Sequence, residues 1–135
     1  MFVTRATRHD KADIEELLAS LQWEVKDPAS GTFFLAREGA AIGCIRLCEV
    51  APQTLVVRDM VVAAHRRGEG IGTQLMRGAM NSRGGTLYLR CSGELVPYFE
   101  RFGFASVAGE ELPQEVAGHF DGEGPSEQAT TMKAR

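Results

Sequence analysis

Two arginines and three glycines stand together in the run Arg66-Arg67-Gly68-Glu69-Gly70-Ile71-Gly72. Glycines let a backbone come close to a ligand, because no Cβ intervenes. If a helix starts inside such a run, its first-turn N–H groups have no intrahelical partner. The helix dipole then adds positive potential at the same point. Together with the arginines, these features suit an anion such as a pyrophosphate. Two nucleotide-binding fingerprints do not fit the run. It lacks the Gly-Lys-Ser/Thr ending of a P-loop, and its glycines follow G-x-G-x-G rather than G-x-G-x-x-G.

The flanking residues supply the elements that such a turn needs. Leu55, Val56, Val57, Met60, Val61 and Val62 form an apolar, β-branched run that predicts a strand over 54–62. Ile71, Leu75, Met76, Ala79 and Met80 recur at helical spacing and predict a helix over 71–81, stopped by Ser82-Arg83-Gly84-Gly85. In this setting Arg67 to Gly72 reads R-x-x-G-x-G, which resembles the acetyl-CoA pyrophosphate loop of the GNAT superfamily of acyl-CoA-dependent N-acyltransferases. A second stretch, Tyr98-Phe99-Glu100-Arg101-Phe102-Gly103-Phe104, is similar to the F-Y-E-K-L-G-F box of that superfamily. It begins 26 residues after Gly72, room for a helix tail, a strand and a helix start. The resemblance covers nearly the whole chain.

The rest of the chain reads in the same frame. Phe2 to Arg5 is a short strand, and Thr7 with Asp10 is a capping-box-like helix start. Ile14, Leu17, Leu18 and Leu21 mark one face of a helix ending near Leu21. Residues 22–31 form a loop or a broken helix, and 32–50 a hairpin turning at Glu38-Gly39-Ala40. A strand at 86–91 should lie parallel to 54–62, since a helix connects them. A helix from Ser92-Gly93-Glu94 carries Tyr98 and Phe99, with Pro97 in its first turn and Gly103 as its stop. A strand follows at 104–107, then a long loop or a short helix at 113–118, and a closing strand at 129–133. The order β-α-β-β-β-α-β-α-β-β is mixed α/β. The resemblance implies a GNAT-like fold over a single domain, 1–135, with the sheet splayed between its central strands.

For the site, the resemblance implies acetyl-CoA as cosubstrate and N-acetyl transfer by direct attack of an amine in a ternary complex. Backbone groups of Met60, Val61 and Val62 would lie along the acyl and pantetheine arm, one N–H serving the oxyanion. Arg67, Gly68, Gly70, Ile71, Gly72 and Thr73 would hold the pyrophosphate. The chain departs from the family pattern twice. Phe99 stands where the box has tyrosine before its acidic residue, and Tyr98 cannot replace it, being about 100° away around a helix. Val56 stands where a strand glutamate aligns. A thiol pKa of about 8.5 lets thiolate leave unaided near neutrality or with water as donor, so transfer does not depend on the tyrosine. Cys91 and Ser92 are candidates for a proton relay, or else a buried thiol and a helix N-cap. Glu49 is the nearest candidate base, needing a pKa raised by partial burial, or else a solvated edge residue.

Clues to the acceptor come from the same strand. Val57-Arg58-Asp59-Met60-Val61-Val62 resembles the L-R-S-L-A-V strand of N-acetylglutamate synthase acetyltransferase domains and their stand-alone relatives. Arg58 offers a two-pronged grip for a substrate carboxylate, or an internal ion pair with Asp59 or Glu49. Trp23 either lines the acceptor pocket or packs over the core. The acceptor implied is a small-molecule amine, an amino acid or an analogue. Two other readings remain open, an acyl-CoA-binding sensor or partner module without turnover, and a protein N-acetyltransferase.

Composition narrows the alternatives. A net charge of −3 and no basic run longer than two residues argue against general nucleic-acid binding. Cys44, Cys48 and Cys91 are odd in number with no C-x-x-C spacing, and read as buried cytosolic thiols. His9, His65 and His119 lie far apart and near no cysteine pair, so no metal is expected. With no apolar run of membrane-spanning length and no h-region, a cytoplasmic protein without a membrane partner is expected. Homodimers through sheet edges or the C-terminal strand are common among relatives of this kind.

Overall fold

The computed structural model describes residues 1–21, 31–120 and 129–134. The elements in chain order are β1 (Phe2–Arg5), α1 (Lys11–Leu18), β2 (Thr32–Glu38), β3 (Ala40–Ala51), β4 (Thr54–Val62), α2 (Ile71–Ser82), β5 (Thr86–Ser92), α3 (Val96–Glu100), β6 (Ala105–Ser106), α4 (Gln114–Phe120) and β7 (Ala129–Ala134). The strands follow the order β1-β2-β3-β4-β5-β7-β6 in a mixed sheet, with β4 and β5 its parallel pair among the registers described. Among the described residues no helix is long and apolar enough to cross a membrane.

The chain divides into two compact units. Residues 1–48 and 57–83 form the first, which contains β1, α1, β2, α2 and most of β3 and β4. Its β1 and β2 are antiparallel, with Phe2 opposite Arg37, and β2 and β3 form the expected hairpin, with Thr32 opposite Leu47. Helix α1 buries Ile14, Leu17 and Leu18 against Phe33, Leu35, Cys44 and Val61. The capping box is present: the Thr7 N–H donates to Asp10 Oδ2 at 2.8 Å, and Thr7 Oγ1 accepts from the His9 N–H. It heads a 3₁₀ turn, Arg8–Asp10, that runs into α1. Arg37 on β2 reaches the same carboxylate, Nη2 to Oδ2 at 2.6 Å, and so fixes where α1 begins.

Helix α1 stops at Leu18 rather than near Leu21. Ser20 Oγ donates to the Leu17 carbonyl at 2.7 Å, and a side chain engaging its own backbone in this way competes with helix continuation. Leu21 still packs, partly buried, against the cluster around Ile14.

Residues 49–56 and 84–135 make up the second unit. Here β4 and β5 are parallel, Thr54 opposite Thr86, Leu55 opposite Leu87 and Val56 opposite Tyr88, so the ladder engages the first three residues of each strand. The two turns that open the strands also meet: the Thr86 N–H donates to the Gln53 carbonyl at 2.8 Å, and a Cβ on Gly85 would stand 2.6 Å from that oxygen. Only glycine fits there. Val56 and Tyr88 form a core with Val116 and Phe120 of α4, while β5, β7 and β6 complete the antiparallel part. Helix α4 is the short helix anticipated near 113–118, running instead from Gln114 to Phe120.

Candidate functional site

The strand, turn and helix around Arg66–Gly72 all lie in the first unit. Strand β4 ends at Val62, a 3₁₀ turn covers Ala64–Arg66, and α2 begins at Ile71 with Gly70 as its N-cap. Gly68 and Gly70 both have left-handed backbones, φ +84° and +80°. Glycine adopts this conformation without the penalty other residues incur, which explains both positions. Gly70 offers no side chain to cap the helix, and α2 has no acidic residue in its first turn. The positive end of the helix is therefore left uncompensated by its own residues, as an external anion requires.

The two arginines have separate tasks. Arg66 is held by carboxylates, Nε to Glu69 at 3.0 Å and Nη2 to Glu38 at 3.1 Å. Its charge is largely offset by these two carboxylates, one in the loop and one at the end of β2. Arg67 is exposed, and its Nε donates to the Val62 carbonyl at 3.2 Å. The loop cation available to a ligand is thus Arg67, the one the R-x-x-G-x-G reading selects.

Packing holds α2 close to the end of β4. An added Cβ on Gly43 of β3 would meet Leu75 Cδ1 at 3.0 Å, the Val61 carbonyl at 3.1 Å and Ile71 Cγ2 at 3.3 Å. Glycine at this position lets the first turn of α2 settle against the strand. Val61 and Ile71 are buried; Met60, Val62, Gly72 and Thr73 are half-buried; Arg67, Gly68 and Gly70 are exposed. The structure thus brings Met60, Val61, Val62, Arg67, Gly68, Gly70, Ile71, Gly72 and Thr73 onto one continuous strand–turn–helix segment.

Sequence reasoning missed the most unusual feature of β4. Asp59 has φ +48° in mid-strand, and its carboxylate is buried against Arg46 of β3, Oδ2 to Nη2 at 2.6 Å, each side chain 1% exposed. The internal ion pair considered for Arg58 therefore goes to Arg46 as far as Asp59 is concerned, while Arg58 is half-buried. The Cys44 thiol donates to the Asp59 carbonyl at 3.6 Å. Burial, followed by the nearby Asp59 carboxylate, pushes the Cys44 thiol up to about 12. Cys44 is thus a neutral structural donor. An arginine inside the apolar run AIGCIRLCEV was the available signal, since a cation there needs a buried partner.

The candidate acid and base residues lie in the second unit. Cys91, near the end of β5, is buried, with Sγ 3.9 Å from Met132 Sδ, and burial raises its thiol above the usual range. Ser92 is exposed at the N-cap of a 3₁₀ turn, Gly93–Leu95, without a side-chain capping bond. Glu49 is exposed on β3. Val56 is fully buried, at 0% exposure. Phe99 is buried too, in edge-to-face contact with Tyr98 and Phe104 at centroid distances of 5.2 and 6.2 Å. Trp23 lies outside the described residues.

A cavity of about 560 Å³ opens in the first unit beside α1. Ile14, Leu18 and Phe33 form apolar lining, Arg5 and Arg8 give it positive charge, and Lys11 in the same lining is paired with Glu15 at 4.0 Å. The Arg46 guanidinium lies 5.5 Å from the Phe33 ring centroid, so Phe33 connects the cavity wall to the ion pair.

Residues 29–106 match the family described as the acetyltransferase (GNAT) domain, more than half the chain. The chain belongs to the GNAT acetyltransferase family. No curated protein matches the sequence. Among solved structures, the chain is similar to N-acetylglutamate synthase from Neisseria gonorrhoeae complexed with coenzyme A and N-acetyl-glutamate, with 16% identity, a TM-score of 0.77 and coverage of 100% of this chain and 35% of that one. It is also similar to a GNAT-family acetyltransferase from Staphylococcus aureus, with 16% identity, TM-score 0.72 and coverage of 98% and 97%. Rv2747 from Mycobacterium tuberculosis, solved in complex with CoA, gives 17% identity, TM-score 0.73 and coverage of 99% and 98%. At these identities the likeness is one of fold. The chain spans about a third of the synthase and nearly all of the other two.

Proposed function

We propose that the chain is an N-acetyltransferase that moves an acetyl group from acetyl-CoA to the amine of a small molecule, an amino acid or a close analogue, and that residues 1–135 work as one GNAT-type domain. The observation that carries this reading is the segment from Met60 to Thr73. A left-handed Gly70 opens a helix with no acidic first turn, and Arg67 is the cation beside it. Family membership supports the same donor.

Each part of the segment then has a task. The α2 N-terminus and Arg67 hold the pyrophosphate, while Met60–Val62 lie along the acyl arm with one N–H toward the developing oxyanion. The acceptor enters the cavity beside α1, whose Arg5 and Arg8 suit an amine that also bears a carboxylate. Its nitrogen forms the new C–N bond as the thioester C–S bond breaks. The amine proton passes to water, and CoA leaves as a thiolate that takes up a proton from solvent.

A second reading has its own support. Val56 and Phe99, at the two positions where base and acid were sought, are both buried apolar residues. That suits a module which binds acyl-CoA without turnover. Titration calorimetry with acetyl-CoA, together with an assay for CoA release on adding amines, separates the two. Binding with release supports the enzyme, binding alone supports the module, and neither would remove both.

A further inference from the structure

We propose that Arg46 and Cys44 of β3 form a clamp on Asp59 that sets the orientation of the peptide groups following it, making Arg46 and Asp59 positioning residues for acyl transfer. The inference rests on the reading of Met60–Val62 as the acyl-arm strand.

Asp59 is held from two sides. Its carboxylate is gripped by the Arg46 guanidinium at 2.6 Å, and its carbonyl accepts from the Cys44 thiol at 3.6 Å. Cys44 and Arg46 are two residues apart on one strand and so share a face. Around them the fold makes room for the guanidinium. The Phe33 ring lies over it, and Gly31 lets its stem pass, since a Cβ there would come within 3.1 Å of Arg46 Cγ and Cδ.

Such a construction is hard to explain as a source of stability. A buried ion pair loses about as much by desolvation as it gains by attraction, and apolar residues of similar size often do better. A left-handed non-glycine residue in a strand adds further cost, and such strain persists only where the surroundings over-determine it. The location supplies a reason. Asp59 immediately precedes Met60, Val61 and Val62. A left-handed residue turns the next peptide out of the regular alternation of a strand, as bulges do when they re-aim groups beside a site. The ion pair keeps that turn fixed while the donor binds and reacts.

The test separates conformation from charge. Two double variants, Arg46→Met with Asp59→Gly and Arg46→Met with Asp59→Ala, both remove the buried charges, but only glycine takes a positive φ freely. We expect kcat for acetyl transfer to be about tenfold lower in the alanine variant than in the glycine variant, a difference set by the backbone preference. KM for acetyl-CoA should stay similar between the two, with the alanine variant melting only a few degrees lower from its strained backbone. Arg46→Lys keeps the charge but loses the planar guanidinium, and should lower kcat by about threefold or more with little change in KM. Equal kcat in the two double variants, or a loss that follows melting temperature alone, would overturn the positioning role. If the double variants do not fold, unchanged kcat in Arg46→Lys overturns it instead. A wild-type protein that binds no acetyl-CoA in calorimetry removes the functional reading and the inference together. Binding and turnover in the wild type with indifferent variants removes the inference alone.

Discussion

Arg67 donates from Nε to the carbonyl of Val62 at 3.2 Å, so the loop cation is tied to the last residue of β4. One hydrogen bond thereby couples the proposed pyrophosphate site to the proposed acyl-arm strand. Replacing Arg67 with alanine removes both the charge and this tie. We expect acetyl-CoA affinity to fall by about tenfold or more, comparable to losing one charge-assisted contact, with the melting temperature little changed because the side chain is exposed. Calorimetry against the same protein preparation checks it. Unaltered affinity would mean that the pyrophosphate lies elsewhere.

Gly70 makes a sharper test of the loop. A Cβ there meets nothing within 4 Å, so the fold itself has space for a side chain. The penalties are the positive φ, about 1 kcal/mol for a non-glycine residue, and obstruction of the anion's approach to the helix end. Gly70→Val should therefore abolish acetyl-CoA binding while circular dichroism shows the fold retained. Binding as tight as wild type would contradict the placement.

Gly43 behaves differently, because its surroundings are full. Substitution by valine forces Leu75, Val61 and Ile71 apart. Overpacking of this kind costs about 1–3 kcal/mol. Two of the displaced residues belong to the segment proposed to hold acetyl-CoA, so lower thermal stability and weaker acetyl-CoA binding should appear together. A stability loss with unchanged affinity would show that α2 and β4 can shift without disturbing the site.

Asp10 gives a prediction in pH. Its hydrogen bond with Arg37 and the Thr7 N–H hold its carboxyl below the usual range. With a folded pKa below an unfolded value of about 3.9, its contribution is present above that pH and is lost as pH falls through the folded value. Asp10→Asn should be less stable than wild type near neutrality, and the difference should shrink as the pH drops below about 4. A constant difference across this range in denaturant melts would show that the charge is not what matters.

Much of this was legible in the sequence because the signals are local. The strand 54–62, the glycine turn and the helix from Ile71 are each encoded by neighbouring residues, as are the Thr7–Asp10 box and the Gly103 stop. Tertiary partners were harder to see. Arg46 and Asp59 are 13 residues apart on different strands, and nothing in either local pattern names the other. Helix α4 was ambiguous because Gly118 and the nearby Pro113 weaken its pattern, whereas Val116 and Phe120, four residues apart, bury against Val56 and Tyr88 and settle it. The separate fates of Arg66 and Arg67 depend on Glu38, which is distant in sequence.

Phe99 bears on the chemistry directly. If protonation of the departing thiolate limits turnover at low pH, Phe99→Tyr should raise the rate there and leave acetyl-CoA affinity unchanged; with solvent as the proton donor the profile stays that of the wild type, and we expect that outcome. Its ring is buried, so some loss of stability should accompany the added hydroxyl. An identical pH–rate profile would assign proton uptake to solvent.

The central claim is acetyl transfer to a small amine. The most direct measurement is release of CoA from acetyl-CoA across a panel of amino acids including glutamate, aspartate and methionine analogues, with polyamines, aminoglycosides and lysine peptides beside them, each against the background without amine. The account predicts release well above background for an amine that carries a carboxylate. No release above background with any acceptor would contradict it.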